Sequence, residues 1–171
     1  MHVLKGSAVT RGELNESERK DVLDKAEFRT QFSLTEGDVL MCRTNGTIGY
    51  VGMSALVPKS QPNVIFPDKV IRVRVNQERI LPAFFWRLAQ SPFVRRQIEQ
   101  AARTTAGNYA IGGKDIWNFQ YPLPPLTEQR RIVERLDALR AEARAARSEA
   151  ASGRETANQS FEAALFGTAI K

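Results

Sequence analysis

Apolar residues along the chain follow two different periods, and the change falls near Pro82. Over residues 34–75 the pattern is β-like. Leu34-Thr35-Glu36-Gly37-Asp38 reads as a turn, and Val39-Leu40-Met41-Cys42 as a short strand buried on both faces. Arg43-Thr44-Asn45-Gly46-Thr47 reads as a hairpin loop, because an Asn-Gly pair tolerates the positive φ that tight primed turns require. Ile48-Gly49-Tyr50-Val51-Gly52 then predicts a returning strand thinned by glycine. Residues 63–66 and 70–75 predict two more strands. In the second, Val70, Arg72 and Arg74 share one face while Ile71, Val73 and Val75 share the other. The first thirty residues are polar and weakly specified, compatible with a short helix over residues 20–27.

After Pro82 the period becomes helical. Phe84, Phe85, Leu88, Val94 and Ile98 recur at helical spacing, with Ser91-Pro92 as the junction between two helices. A glycine-bearing loop over residues 103–113 follows, and Ile116-Trp117-Asn118-Phe119-Gln120-Tyr121 predicts another strand. Pro122-Leu123-Pro124-Pro125-Leu126 is too rich in proline for a helix or inner strand and predicts a stiff, polyproline-like connector. Thr127 suits an N-cap, with Glu128 near the positive end of the helix dipole. Ile132, Leu136, Leu139, Ala143, Ala146 and Ala150 then repeat at 4-3-4-3-4 spacing, a heptad seam. A helix over residues 127–152 would run about 39 Å, too long to lie flush on so small a domain. Gly153 is expected to interrupt it, with Phe161, Leu165, Phe166 and Ile170 forming a second, shorter piece. The predicted fold is α+β: a mixed α/β domain over 1–121, a connector over 122–126, and a long protruding C-terminal coiled-coil helical region over 127–171.

Composition narrows what such a fold does. With 171 residues there is room for one domain plus an appendage. Twenty-five Lys+Arg against nineteen Asp+Glu give a net charge of +6, which favours a polyanionic partner. The excess is local: between residues 79 and 126 stand Arg79, Arg87, Arg95, Arg96, Arg103 and Lys114 against only Glu99 and Asp115. One cysteine, Cys42, excludes a disulfide framework and any CxxC site. One histidine, His2, leaves no Ser-His-Asp triad and no histidine metal cluster. No catalytic or metal-ligating set is assigned. No apolar run reaches membrane-spanning length and no export signal opens the chain, so a cytoplasmic protein without a membrane partner is expected.

Two strings carry a family resemblance. Gly37-Asp38-Val39-Leu40, followed by Arg43, Asn45-Gly46-Thr47, Gly49 and Gly52, resembles the GDILxxRxGTxG strand-loop-strand of specificity subunits from type I restriction–modification systems. Tyr121-Pro122-Leu123-Pro124-Pro125-Leu126-Thr127-Glu128-Gln129-Arg130-Arg131-Ile132-Val133 is similar to that family's IPLPPLxEQxxIV connector between a target-recognition domain and a long helix. The resemblance covers residues 34–150. It implies a non-catalytic, sequence-specific DNA-binding subunit that directs an adenine methyltransferase, and restriction motor subunits, to a target. S-adenosylmethionine, ATP and magnesium would then sit on partner subunits, with no cofactor on this chain. A complete subunit has two recognition domains, so this chain looks half-length, either a natural half that pairs with another specificity chain or a truncated piece. The alternative is an S-like scaffold that binds methyltransferase or S subunits through its helix without reading DNA. An enzyme finds no support, because no [Asp/Asn]-Pro-Pro-[Tyr/Phe] segment is present.

Within that frame the candidate DNA contacts are Arg43, Asn45 and Thr47 on the first loop, and Arg103, Thr104, Thr105, Asn108, Tyr109 and Lys114 on the second. Arginine can read guanine and asparagine adenine, whereas Asn45-Gly46 can also exist only to make the turn. Arg95 and Arg96 are either phosphate anchors or part of a solvated helix face. Phe84, Phe85, Trp86 and Trp117 are expected in the core. The seam residues 132–150 are the candidate partner surface. Arg140 and Arg147 flank one side and Glu142 and Glu149 the other, so an antiparallel homodimer in perfect register would set like charges together. A shifted register or a partner of different sequence is expected.

Overall fold

A computed structural model describes residues 1–105 and 107–167 of the chain. Two compact units emerge, Met1–Arg130 and Arg131–Lys171. In the first, β1 (His2–Leu4) and β2 (Arg19–Asp21) precede α1 (Ala26–Phe32) and β3 (Ser33–Leu34). Then come β4 (Val39–Cys42), β5 (Thr44–Asn45), β6 (Ser54–Leu56), β7 (Gln61–Ile65) and β8 (Val70–Val73). Helices α2 (Pro82–Ala89) and α3 (Pro92–Ala101) follow, then β9 (Arg103–Thr105), β10 (Asn108–Ala110), α4 (Gly113–Trp117) and α5 (Leu126–Phe166). The architecture is a mixed α/β domain followed by a long C-terminal helix.

Three small sheets build the domain, in the orders β2-β1-β7-β3, β6-β4-β8 and β5-β10-β9. Strand β4 is central to the second, antiparallel to β6 and β8, and all four of its residues are buried. Leu40 and Cys42 join Leu4, Ala8, Val9, Leu34, Ala55, Val57, Val64 and Val70 in one apolar cluster. The continuous apolar run of β4 therefore does mark a strand covered on both faces.

The Gly-Asp pair ahead of β4 has a physical reason. Gly37 holds φ +85°, which a residue with a Cβ adopts only under strain. That turn delivers Asp38, 1% exposed, into the sheet. Its Oδ1 accepts from Arg74 Nε at 2.6 Å, and its Oδ2 from the Thr35 backbone N–H at 2.9 Å. Arg72 stands 3.8 Å from the same carboxylate and donates to the carbonyls of Ser33 and Gln31, both at 3.0 Å. The hydrogen bond that Arg74 donates to Asp38 pushes its guanidinium further into its protonated range, while burial draws Arg72 down. Arg72 and Arg74 thus tie β8 to the start of β4.

Several local expectations are corrected. The helix expected over 20–27 is displaced: Arg19–Asp21 pair with β1, and α1 begins only at Ala26. Ile48–Tyr50 forms a 3-10 turn, not a strand, and Gly52 leaves it with φ +80°. A Cβ on Gly52 would stand 2.4 Å from Ile98 Cδ1, so that glycine lets α3 pack against the turn. The loop expected after residue 102 is an antiparallel hairpin of β9 and β10, turning at Gly107 with φ +80°; Ala106 lies outside the described residues. In place of a strand at 116–121 the chain makes α4, because Asp115 Oδ2 accepts from Gly112 N at 2.7 Å and caps that helix. Trp117 is 89% exposed, against the expectation that it joins the core. Phe84 and Phe85 are buried as expected.

Junction Ser91-Pro92 is as read: Ser91 Oγ accepts from Val94 N at 3.3 Å and Pro92 opens α3. Gly153 does not interrupt α5, whose 41 residues give about 62 Å of helix. A solvent-exposed glycine costs about 1 kcal/mol against alanine, less than ending so long a ladder. Described residues from 134 to 167 are all exposed; Ile170 lies outside the described residues. Among the described residues no helix is long and apolar enough to cross a membrane.

Candidate nucleic-acid interface

Extended chain does not stop at the end of β4. Arg43 N donates to Lys69 O at 2.8 Å, and Arg43 O accepts from Ile111 N at 3.0 Å. The segment then continues as β5 at the edge of β5-β10-β9. One strand thus leaves the core with its first half held between β6 and β8 and its second half carrying a small outer sheet. That connection places both predicted loops side by side. Asn45 faces Tyr109, which faces Thr104, so these three project to one side of the sheet. Thr44, Ala110 and Arg103 form the adjoining row, and Asn108 pairs in register with Thr105.

Three cations from three segments meet at the end of this sheet. Arg43, Arg103 and Lys114 line a shallow cleft of about 330 Å³ together with Asp115. Asp115 is already committed: it caps Gly112 and lies 3.4 Å from Arg103 Nη2. The Arg103 side chain remains 80% exposed. Three cations against one carboxylate leave two positive charges for another partner.

A second, polar cleft of about 550 Å³ opens at the hairpin end. Arg11, Lys69, Thr44, Asn45, Tyr50 and Asn108 are among its lining residues, and no acidic residue is. Cys42 closes its floor; burial pushes the thiol up, so it stays neutral. Arg11, Lys69 and Tyr50 escaped sequence reasoning. Arg11 comes from the weakly specified N-terminus and Lys69 from the β7–β8 turn, and only tertiary pairing brings either to β5.

Other predicted residues are placed differently. Asn45 makes its turn, since Oδ1 accepts from Thr47 N at 3.0 Å. Thr47 and Arg96 are exposed on the loop and on α3. Arg95 is a brace and not a free anchor. Its Nη1 donates to Val51 O at 2.6 Å and Gly49 O at 3.4 Å, its Nη2 donates to Ile48 O at 3.3 Å, and its Nε lies 3.0 Å from Glu99. This holds the 48–52 turn, and Tyr50 with it, in place. Trp86 donates Nε1–H to Gly12 O at 3.1 Å and Ser54 O at 3.2 Å, with Arg87 stacked 3.7 Å over its ring.

The connector has a buried fastener. Gln129, 0% exposed, accepts from Leu81 N through Oε1 at 2.8 Å. Its Nε2 donates to Arg79 O at 2.9 Å and Pro124 O at 2.8 Å. The glutamine of the connector motif thus satisfies three backbone groups at the start of α5. Beyond it the seam residue Ile132 is half-buried, and Leu136 and Leu139 are exposed.

Comparison with known proteins supplies the family. The family described as "Type I restriction modification DNA specificity domain" matches residues 6–150. The type I restriction enzyme EcoKI specificity subunit of Escherichia coli (strain K12) is 33% identical over 80% of this chain and 30% of its own length. The StySPI specificity subunit of Salmonella potsdam is 31% identical over 72% of this chain and 26% of its own. The crystal structure of the HsdS subunit from Thermoanaerobacter tengcongensis superposes with a TM-score of 0.70 at 28% identity, covering 96% of this chain and 42% of that one. The chain thus spans less than half the length of these relatives.

Proposed function

Because the chain belongs to the type I restriction modification DNA specificity domain family, we propose that its α/β domain reads a double-stranded DNA sequence and brings an adenine methyltransferase and restriction motor subunits to it. The convergence of Arg43, Arg103 and Lys114 beside the β5-β10-β9 sheet carries this reading. Cations at the rim would hold phosphates and fix register, while amides and hydroxyls on the same sheet meet base edges. Arg96, Thr47, Thr104 and Tyr109 stand as further contacts, while the side chain of Thr105 lies outside the described part of the structure.

The chain itself is non-catalytic in this scheme. S-adenosylmethionine belongs to the modification subunits, since the sequence lacks the Asp/Asn-Pro-Pro-Tyr/Phe segment on which adenine methylation is usually built, and ATP and magnesium go with the restriction motor subunits. The seam Ile132, Leu136, Leu139, Ala143, Ala146 and Ala150 is the surface for modification subunits, or for a helix of another specificity chain or a second copy. The complex works in the cytoplasm.

Selection from a random-sequence duplex library at low salt tests the reading, using the full chain with and without modification subunits. One enriched sequence is expected. Binding without enrichment would remove sequence recognition, and no binding in either condition would leave only the helix-borne scaffold role.

A further inference from the structure

We infer that Asn108 reads an adenine edge in the target duplex, with Arg11 and Lys69 holding phosphates on either side. This rests on the DNA-recognition reading above and names the atoms that would carry it in the second cleft. The lining of that cleft includes two cations and no acid, so its complement is an anion. Among the described residues, neither Arg11 nor Lys69 is held by a hydrogen bond or ion pair through its side chain, and both are exposed.

The two asparagines in the cleft differ in what they can still offer. Asn45 is engaged at both ends, its carbonyl by Thr47 N and its amide by Cys42. Asn108 keeps carbonyl and amide together, with no side-chain partner among the described residues. That pair of groups matches the N6–H donor and N7 acceptor that adenine presents in the major groove. The hairpin gives it a fixed base: Asn108 is in register with Thr105, immediately after Gly107 at φ +80°. Gly46 lies opposite, where even a Cβ would come within 3.9 Å of Asn108 Oδ1, so the missing side chain leaves the amide open to approach.

The test uses the duplex recovered from the library selection and the full chain, with modification subunits where binding requires them. Each adenine is replaced in turn by 7-deazaadenine, which lacks the N7 acceptor. Wild type should lose about tenfold in affinity at one adenine. Asn108→Ala should lose about tenfold on the natural duplex and nothing further at that adenine. Lys69→Ala should instead weaken all sequences alike and flatten the salt dependence by about 0.9 log units. If Asn108→Ala binds like wild type, or stays sensitive at every adenine where wild type is, the inference fails while DNA recognition stands. A recovered motif without adenine contradicts it too. Failure of wild type to recover any duplex overturns the DNA reading and this inference with it.

Discussion

Replacing Asp38 by Asn is expected to destabilise the domain by about 2 kcal/mol, because it strips the charge from a buried carboxylate that the half-exposed Arg74 and the part-buried Arg72 still face. The amide is nearly the same shape, and its oxygen can still accept from Thr35 N. Its NH2 group, however, would face Arg74 Nε or Nη2, which now donate to the carboxylate at 2.6 and 3.3 Å. Arg72 would keep its bonds to Ser33 O and Gln31 O but lose the carboxylate that stands 3.8 Å away. Urea unfolding followed by tryptophan fluorescence measures the loss as a lower midpoint. A change under about 1 kcal/mol would mean that the Asp38 pair is worth no more than a surface ion pair. The consequence reaches the proposed interface, since the same strand continues through Arg43 into β5.

Gln129→Ala is expected to cost about 3 kcal/mol. Three backbone groups lose their partner at once, in a site closed to water, and each unmet group is worth about 1–3 kcal/mol. Gln129→Glu separates hydrogen bonding from packing. It keeps the acceptor for Leu81 N–H but turns an oxygen toward the carbonyls of Arg79 and Pro124. Thermal unfolding should therefore place Glu no better than Ala. Glu at wild-type stability would show that the two Nε2 bonds contribute nothing.

These two residues show how much the amino-acid pattern discloses. Asp38 and Gln129 both lie inside the strings that suggested the family, yet nothing local says why. The reasons are Arg74, thirty-six residues away, and the loop before α2, about fifty residues away. Where a segment's fate is decided within a few residues, the sequence is informative. The apolar run of β4 and the Ser91-Pro92 junction are of this kind, whereas the expected cap at Thr127 falls inside α5, which begins at Leu126. Where tertiary contacts decide, periodicity misleads. Residues 48–52 have β-like composition, but Arg95 collects three of their carbonyls and Gly52 must admit Ile98, so they turn.

The proposed interface follows the same rule. Both polar loops were identifiable by their residue types, and the structure sets them on adjacent strands. Arg11 and Lys69 were not identifiable, because strand pairing across the domain brings them there. Arg95 looked like an anchor until its hydrogen bonds assigned it to the turn. The contact of Asp115 with Gly112 N that starts α4 has no counterpart in the hydrophobic pattern, and the aromatic run after it suggests a strand and a buried Trp117 instead.

The most direct test of DNA recognition through this sheet is the salt dependence of duplex binding by the full chain, compared with the triple variant Arg43→Ala, Arg103→Ala and Lys114→Ala. All three side chains are exposed, so their removal leaves the core intact. Each phosphate contact contributes about −0.9 to the slope of log affinity against log salt. The triple variant should therefore bind with a slope shallower by about 2.7 and fall well below wild type at low salt. Equal slopes for the two proteins would contradict the account and place the DNA, if it binds, on another face.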